Sequence, residues 1–222
     1  FTNNVTQLIF LGSSCIYPKF SSQPISEDEL LSGPLESTNE PYAIAKIAGI
    51  KLCQAYNTQH KTDFRSLMPT NLYGPNDNFD LNSSHVIPAL IRKFHEAKIS
   101  NAPNVEIWGT GNAKREFLFV EDMSKAIIHC MKIDKETFWD TIGDTPHINI
   151  GTGEDISIAE LANMIKDVIG YSGAIQFNRG YPDGTPRKLL DVSKAKKLGW
   201  SAEKKLTYGL NKTYKWYEQN TL

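Results

Sequence analysis

This 222-residue chain is short of the features that would tie it to a membrane, a nucleic acid, a metal or an oxidising compartment. Cysteine is scarce. Cys15, Cys53 and Cys130 are odd in number and widely spaced, which argues against a disulfide framework and suits free thiols in a reducing compartment. No Cys/His grouping has zinc-ligand spacing, so no metal is expected. No apolar run approaches the length of a membrane span, and the first residues do not read as a signal peptide. A cytoplasmic protein is the expectation. With 24 Lys+Arg against 25 Asp+Glu the net charge is -1, which gives no electrostatic reason to expect nucleic acid or anionic lipid as a partner. Repeats and low-complexity tracts are absent.

A glycine-rich phosphate turn is also missing. Gly109-Thr110-Gly111 lies between two expected strands, and a dinucleotide fingerprint belongs at a strand-to-helix junction. Gly151-Thr152-Gly153 follows a strand and precedes a helix, but it lacks the third glycine and comes late in the chain. Both read as turns. The chain opens at Phe1, and Val5–Leu11 reads almost at once as a buried strand. A domain rarely begins so close to a central strand, so the expectation is the carboxyl-terminal portion of a longer protein.

What is present alternates strand and helix, which predicts an α/β fold with a doubly wound, mainly parallel sheet. A helix is expected over about Pro41–His60, its apolar positions Ile44, Ala45, Ala48, Leu52, Ala55 and Tyr56 recurring at helical spacing. Phe64–Met68 reads as a strand that ends in the loop Pro69–Pro75, at the sheet edge where ligands of open α/β folds gather. Further helices are expected over His85–Ala97, Asp122–Asp134, Ile158–Ile169, Ser193–Leu198 and about Leu206–Asn220, and strands over Val105–Trp108, Glu116–Val120, Ile148–Ile150 and Ala174–Phe177. Ser157 and Glu160 form a capping box for the helix that follows. His60, His95, His129 and His147 read as surface residues, and Cys53 and Cys130 as packing within apolar helical faces.

The chemistry concentrates in Tyr42-Ala43-Ile44-Ala45-Lys46, behind Gly12-Ser13-Ser14-Cys15-Ile16-Tyr17. Residues four apart on a helix share a face, and an ammonium beside a phenol favours the phenolate over a group whose ordinary pKa is about 10. Ser13 or Ser14 offers a hydroxyl for a substrate carbonyl, so the set suits reduction of a ketone. Cys15 reads either as a small core residue or as a base, and His85 either as a polar group at a helix start or as a proton carrier.

Several segments together resemble the GDP-L-fucose synthase family: Gly12–Lys19, Thr38–Lys46, Pro69–Pro75, Asn82–Pro88, Arg115–Phe117 and Asp183–Lys188. These are extended short-chain dehydrogenases/reductases that epimerise and then reduce GDP-4-keto-6-deoxy-D-mannose to GDP-L-fucose with NADPH. The likeness runs from Val5 to the last helix, and the family's first segment, with its GxxGxxG turn, has no counterpart here. The resemblance implies that Tyr42 protonates the C4 oxygen, that Lys46 supports Tyr42 and holds the nicotinamide ribose, and that Ser13 hydrogen-bonds the carbonyl. Cys15 and His85 would exchange the protons on C3 and C5 from opposite faces, because the ketone acidifies both positions and inversion needs a donor and an acceptor on opposite sides. It further implies NADP(H) contacts at Leu11, Gly12, Ser13, Ser14, Tyr42, Lys46, Pro69, Thr70, Asn71, Leu72 and His85. Substrate contacts are implied at Lys93, Trp108, Arg115 and Asp183, with Arg115 offering a bidentate fork to the diphosphate.

The expected division is a Rossmann part over 1–74 and 120–151 and a smaller α/β substrate lobe over 75–119 and 152–222. The family implies a homodimer built partly on the Tyr42 helix. Two rival readings stand beside this one: an NAD-dependent sugar-nucleotide epimerase or dehydratase, and a non-catalytic module that only holds the nucleotide sugar.

Overall fold

A computed structural model describes residues 3–220. The ends of the expected division, residues 1, 2, 221 and 222, lie outside it. Strand β1 (Gln7–Leu11) pairs in parallel with β2 (Asp63–Pro69). Beyond β2 lies β6 (Ile148–Ile150), also parallel. Every residue of β2 is buried, as a central strand covered on both faces must be. Side chains alternate across a strand, and here the alternation sorts the core into two layers. Ile9, Leu11 and Leu67 face helices α3 (Val120–Lys132), α4 (Lys135–Ile142) and α6 (Ser193–Lys197), while Phe10 and Met68 face α1 (Glu40–His60). The expected α/β, doubly wound arrangement follows from that sorting.

A second sheet forms around β5 (Lys114–Phe119), which pairs in parallel with β3 (Asn71–Tyr73) and β9 (Arg187–Lys188) and antiparallel with β7 (Asp155–Ser157). Strand β4 (Asn104–Trp108) pairs in parallel with β8 (Ala174–Asn178). Phe94, Phe117, Phe119, Leu161, Ile165 and Leu210 form the core of this region, joining α2 (Val86–Ile99), α5 (Ile158–Ile169) and α7 (Leu206–Asn220). Helix α5 starts at the predicted box: the Ser157 hydroxyl accepts from the Glu160 N–H at 3.2 Å, and the Glu160 carboxylate accepts from the Ser157 N–H at 3.0 Å. It ends at Gly170 in the left-handed conformation that glycine adopts without strain.

Four sequence expectations need correction. Val5–Leu11 is shorter and less buried than a central strand: β1 begins at Gln7, its first two residues are exposed, and among the described residues it pairs with β2 alone. Pro69–Pro75 is not wholly a loop, because Asn71–Tyr73 finds a partner in β5. The stripe Ile44, Ala48, Leu52 and Ala55 is not the buried face of α1. Ala43, Ile47, Ile50 and Cys53 are, since the helix is apolar on two sides and the sheet takes one of them. Lastly, His95 and His147 are buried. His95 Nδ1 lies 3.2 Å from the Tyr214 hydroxyl, and His147 Nε2 lies 2.7 Å from the Tyr17 hydroxyl. Burial holds His147 neutral, its pKa pushed down to about 3. Cys53 and Cys130 pack in the core as expected.

The floor of the central sheet is pinned by an ion pair with almost no access to water. Arg65 and Asp63 meet through two hydrogen bonds of 2.7 and 2.9 Å. The guanidinium also donates to the carbonyls of Cys130 and Ile133 and lies 4.4 Å from the Phe138 ring centre, while Trp139 Nε1 donates to Asp63. Burial pushes the Asp63 carboxyl up, but hydrogen bonds from Arg65 and Trp139 outweigh it and leave the group below its ordinary value. We expect Asp63→Ala to cost about 3–5 kcal/mol in urea unfolding, because it strands the buried guanidinium. The wild-type contribution should be intact above the ordinary carboxylate range and fade as pH falls through the lowered value.

Candidate functional site

The site is assembled at the carboxyl ends of β1 and β2. Gly12 passes close beneath α1: its N–H donates to the Leu67 carbonyl at 2.8 Å, and an added Cβ would stand 3.0 Å from Met68 Sδ and 3.3 Å from Ile50 Cδ1. The chain then turns through a single 3-10 turn, Ser14–Ile16, capped by Ser13. This turn brings Ser13 Oγ within 3.0 Å of Cys15 Sγ, so hydroxyl and thiol form one polar unit. Asn39, just before α1, donates to the Cys15 carbonyl at 3.4 Å and ties this turn to the start of the helix.

On α1, Pro41 occupies the first turn, where its missing N–H costs nothing. One turn on, Lys46 donates to the Leu11 carbonyl at 2.9 Å, and its ammonium lies 5.8 Å from the centre of the Tyr42 ring. The ammonium has three donors, so two remain for a ligand. Tyr42 is 47% exposed and free to meet one. Lys46 therefore joins Tyr42 to the end of β1, and the Ser13–Cys15 pair follows two residues after the carbonyl that Lys46 bonds, with Leu11, Gly12 and Ser14 in the same stretch of chain. Pro69, Thr70, Asn71 and Leu72 leave the end of the adjacent β2. The Thr70 hydroxyl and Asn71 amide are both held by the Glu116 carbonyl, at 3.2 and 2.8 Å.

A second group is cationic. In the register of β5 and β9, Arg115 stands beside Lys188. Burial lowers the pKa of both, and the Arg115 guanidinium further disfavours the charge on Lys188. Asp183 and Glu36 offset this only in part, and Lys188 also lies within electrostatic reach of the Cys15 sulfur. Two half-buried cations on neighbouring strands, next to the thiol, make a seat for an anion. Lys188 was not singled out from sequence, although it stands in the segment Asp183–Lys188 that carries the family resemblance.

Beyond this lies a ledge. Trp108 is 58% exposed and stacks on Tyr181 with ring centres 4.4 Å apart and planes 14° from parallel. Lys93 lies 5.3 Å from the Trp108 ring centre while donating to the Glu106 carbonyl. Asp183 is already engaged: its carboxylate accepts from the Thr110 N–H and hydroxyl, each at 2.6 Å. That contact holds the Gly109–Asn112 turn, where Gly109 has φ +85° and an added Cβ would stand 2.3 Å from Asp183. Among the described residues His85 makes no hydrogen bond to Cys15, Tyr42 or Lys46. It caps α2 without a side-chain cap bond, exposed, within electrostatic reach of Asp77.

The pattern of the NAD dependent epimerase/dehydratase family matches residues 1–151, more than half of the chain. The chain belongs to that family. It is 58% identical over 219 residues to the GDP-L-fucose synthase of Escherichia coli (strain K12), covering 98% of this chain and 68% of that protein. Among solved structures, a GDP-6-OMe-4-keto-L-xylo-heptose reductase from C. jejuni superposes with TM-score 0.90 at 39% identity, over 99% of this chain and 72% of the other. A GDP-L-fucose synthetase from Naegleria fowleri bound to NADP superposes with TM-score 0.87 at 27% identity, over 97% and 64%. This epimerase/dehydratase chain thus spans about two thirds of the length of the relatives it matches.

The three thiols of this family member differ in environment. Cys15 is half-buried at the site, while burial pushes the Cys53 thiol up and carries that of Cys130 to about 11. Brief treatment of the native protein with iodoacetamide should alkylate Cys15 alone, as read by peptide mass spectrometry. Equal labelling of Cys130 would contradict the placement of both.

Proposed function

We propose that the chain carries the proton-transfer and sugar-nucleotide half of an NADPH-dependent enzyme that converts GDP-4-keto-6-deoxy-D-mannose to GDP-L-fucose. The observation that carries this reading is the joining of a Ser13–Cys15 pair to the Tyr42–Lys46 helix beside the cations Arg115 and Lys188. Phenol and ammonium suit a keto oxygen that becomes an alcohol, the thiol suits protons made acidic by that ketone, and the cations suit a diphosphate.

The donor set fits a nicotinamide dinucleotide, since Lys46 keeps two free donors at the sheet edge beside exposed Tyr42. Lys46 and the turn Leu11–Ser14 would hold it, with Pro69–Leu72 alongside. When bound, NADPH supplies the hydride for C4. Tyr42 donates a proton to the C4 oxygen, and Ser13 orients that oxygen. Cys15 withdraws a proton from C3 or C5, leaving a carbanion delocalised onto the C4 oxygen as an enolate, and His85 returns a proton from the other face. Arg115 and Lys188 hold the diphosphate, and the Trp108–Tyr181 ledge with Lys93 takes the nucleoside end. Asp183 contributes by keeping the Gly109–Asn112 turn in place next to Arg115.

The division into a Rossmann part over 1–74 and 120–151 and a substrate lobe over 75–119 and 152–222 belongs to the same proposal. The exposed stripe Ile44, Ala48, Leu52 and Ala55 on α1 supports a homodimer, because a second copy of the helix would cover it. Among the described residues no helix is long and apolar enough to cross a membrane. A cytoplasmic location agrees with its free thiols.

Two rates test the roles separately. Tyr42→Phe should lower NADPH oxidation with the keto sugar by about 10²–10⁴-fold, while C3 and C5 protons still exchange with deuterated water by NMR. Cys15→Ser should slow that exchange. Exchange at the full rate in Cys15→Ser would favour an NAD-dependent epimerase or dehydratase instead.

A further inference from the structure

Glu116 lies on β5 directly after Arg115, yet it belongs to neither group of site residues. Its side chain is fully buried, at 0% exposure. A carboxylate so placed needs compensation, and here it comes from three donors on two other segments. The Gly153 N–H donates at 2.8 Å and the Thr152 hydroxyl at 3.3 Å to one oxygen, and the Leu190 N–H donates at 2.9 Å to the other. Gly151 is a glycine for a local reason: a Cβ there would stand 2.2 Å from the same carboxylate oxygen. Burial raises the Glu116 pKa despite these bonds. The backbone of the same residue reaches the third segment, its carbonyl accepting from Thr70 and Asn71.

One residue therefore touches the end of β2, the turn after β6 and the strap that carries Lys188, and it directly follows Arg115. Strand β9 is only two residues long, and Gln23 and Ile25 bond the strap at Leu189 and Asp191 from the side away from β5, so the Glu116 carboxylate is the side-chain tie that draws it onto β5. We infer that Glu116 is a positioning residue, a buried clamp whose carboxylate holds the Lys188–Leu190 strap against β5 so that Arg115 and Lys188 present one anion seat. This deepens the proposed function and rests on its assignment of the diphosphate to those two cations.

The test uses GDP as the probe and calorimetry as the readout. In Glu116→Gln the amide oxygen can still accept from one N–H, but the NH₂ meets the other as a second donor. GDP binding should weaken by about 10–100-fold, with faster hydrogen exchange at Gly153 and Leu190. Asp122 is the control, an equally buried carboxylate that accepts from the Glu203 and Lys204 N–H groups at 3.0 and 2.8 Å, away from the cations. Asp122→Asn should lower the melting temperature and leave GDP affinity unchanged.

If Glu116→Gln binds GDP as the unaltered chain does, or if both variants lose affinity in step with melting temperature, the clamp is not a positioning device. Should Glu116→Gln not fold, Gly151→Ala displaces the carboxylate without changing its charge, and should weaken GDP binding in the same way. Unchanged affinity there overturns the inference. If the unaltered chain takes up no GDP, the diphosphate reading fails by itself. Exchange then decides the hold on the strap by itself: unchanged protection of Gly153 and Leu190 in Glu116→Gln overturns that hold, and lost protection upholds it without the diphosphate.

Discussion

The contact on which the site depends is the hydrogen bond from the Lys46 ammonium to the Leu11 carbonyl, at 2.9 Å. It fastens the first turns of α1 to the end of β1, and everything that bears on proton transfer follows from that placement. Tyr42 lies one turn earlier on the same face, and Ser13 and Cys15 lie in the turn that follows the strand Leu11 ends. Gly12 allows the approach, because any side chain there would press on Met68 and Ile50.

The second constraint is uncompensated charge. A folded protein seldom keeps two cations side by side and half-buried unless something anionic completes them. Arg115 and Lys188 have Asp183, Glu36 and the Cys15 sulfur nearby, and burial still lowers the pKa of both. Contrast the Asp63–Arg65 pair, where charge is matched within the protein by bonds of 2.7 and 2.9 Å. The matched pair serves the fold, whereas the unmatched one is free to serve a ligand.

What could be read from sequence was whatever is decided locally. The capping box at Ser157 and the bounds of α5 and α7 depend on neighbours in the chain, and the four-residue spacing of Tyr42 and Lys46 needs only a helix. Hidden from that reading was whatever depends on distant partners. Strands β3, β7 and β9 are two or three residues long and exist because β5 offers them a ladder. Buried His147 finds its hydrogen-bond partner in Tyr17, 130 positions away. The apolar stripes of α1 could not reveal which side the sheet would take. Lys188 stood in plain view within its motif, but its importance depends on a register with Arg115 that only the fold supplies. Family likeness placed the candidate residues in one list. The structure joins Tyr42 and Lys46 to the end of β1, just before the Ser13–Cys15 pair, and it leaves His85 at the start of α2 without a bond to them.

A crystal structure of this chain with GDP-L-fucose is the most direct test of the central claim that cations, thiol and phenol serve one nucleotide sugar. The account predicts the diphosphate between Arg115 and Lys188, the sugar O4 within hydrogen-bond distance of the Tyr42 hydroxyl, at roughly 2.7–2.8 Å, and C3 or C5 facing Cys15. The account is contradicted if the ligand instead occupies the cleft of about 600 Å³ between the end of α1 and α4, lined by Asn57, Lys61, Lys135 and Trp139, or if the sugar lies turned away from the thiol and the phenol.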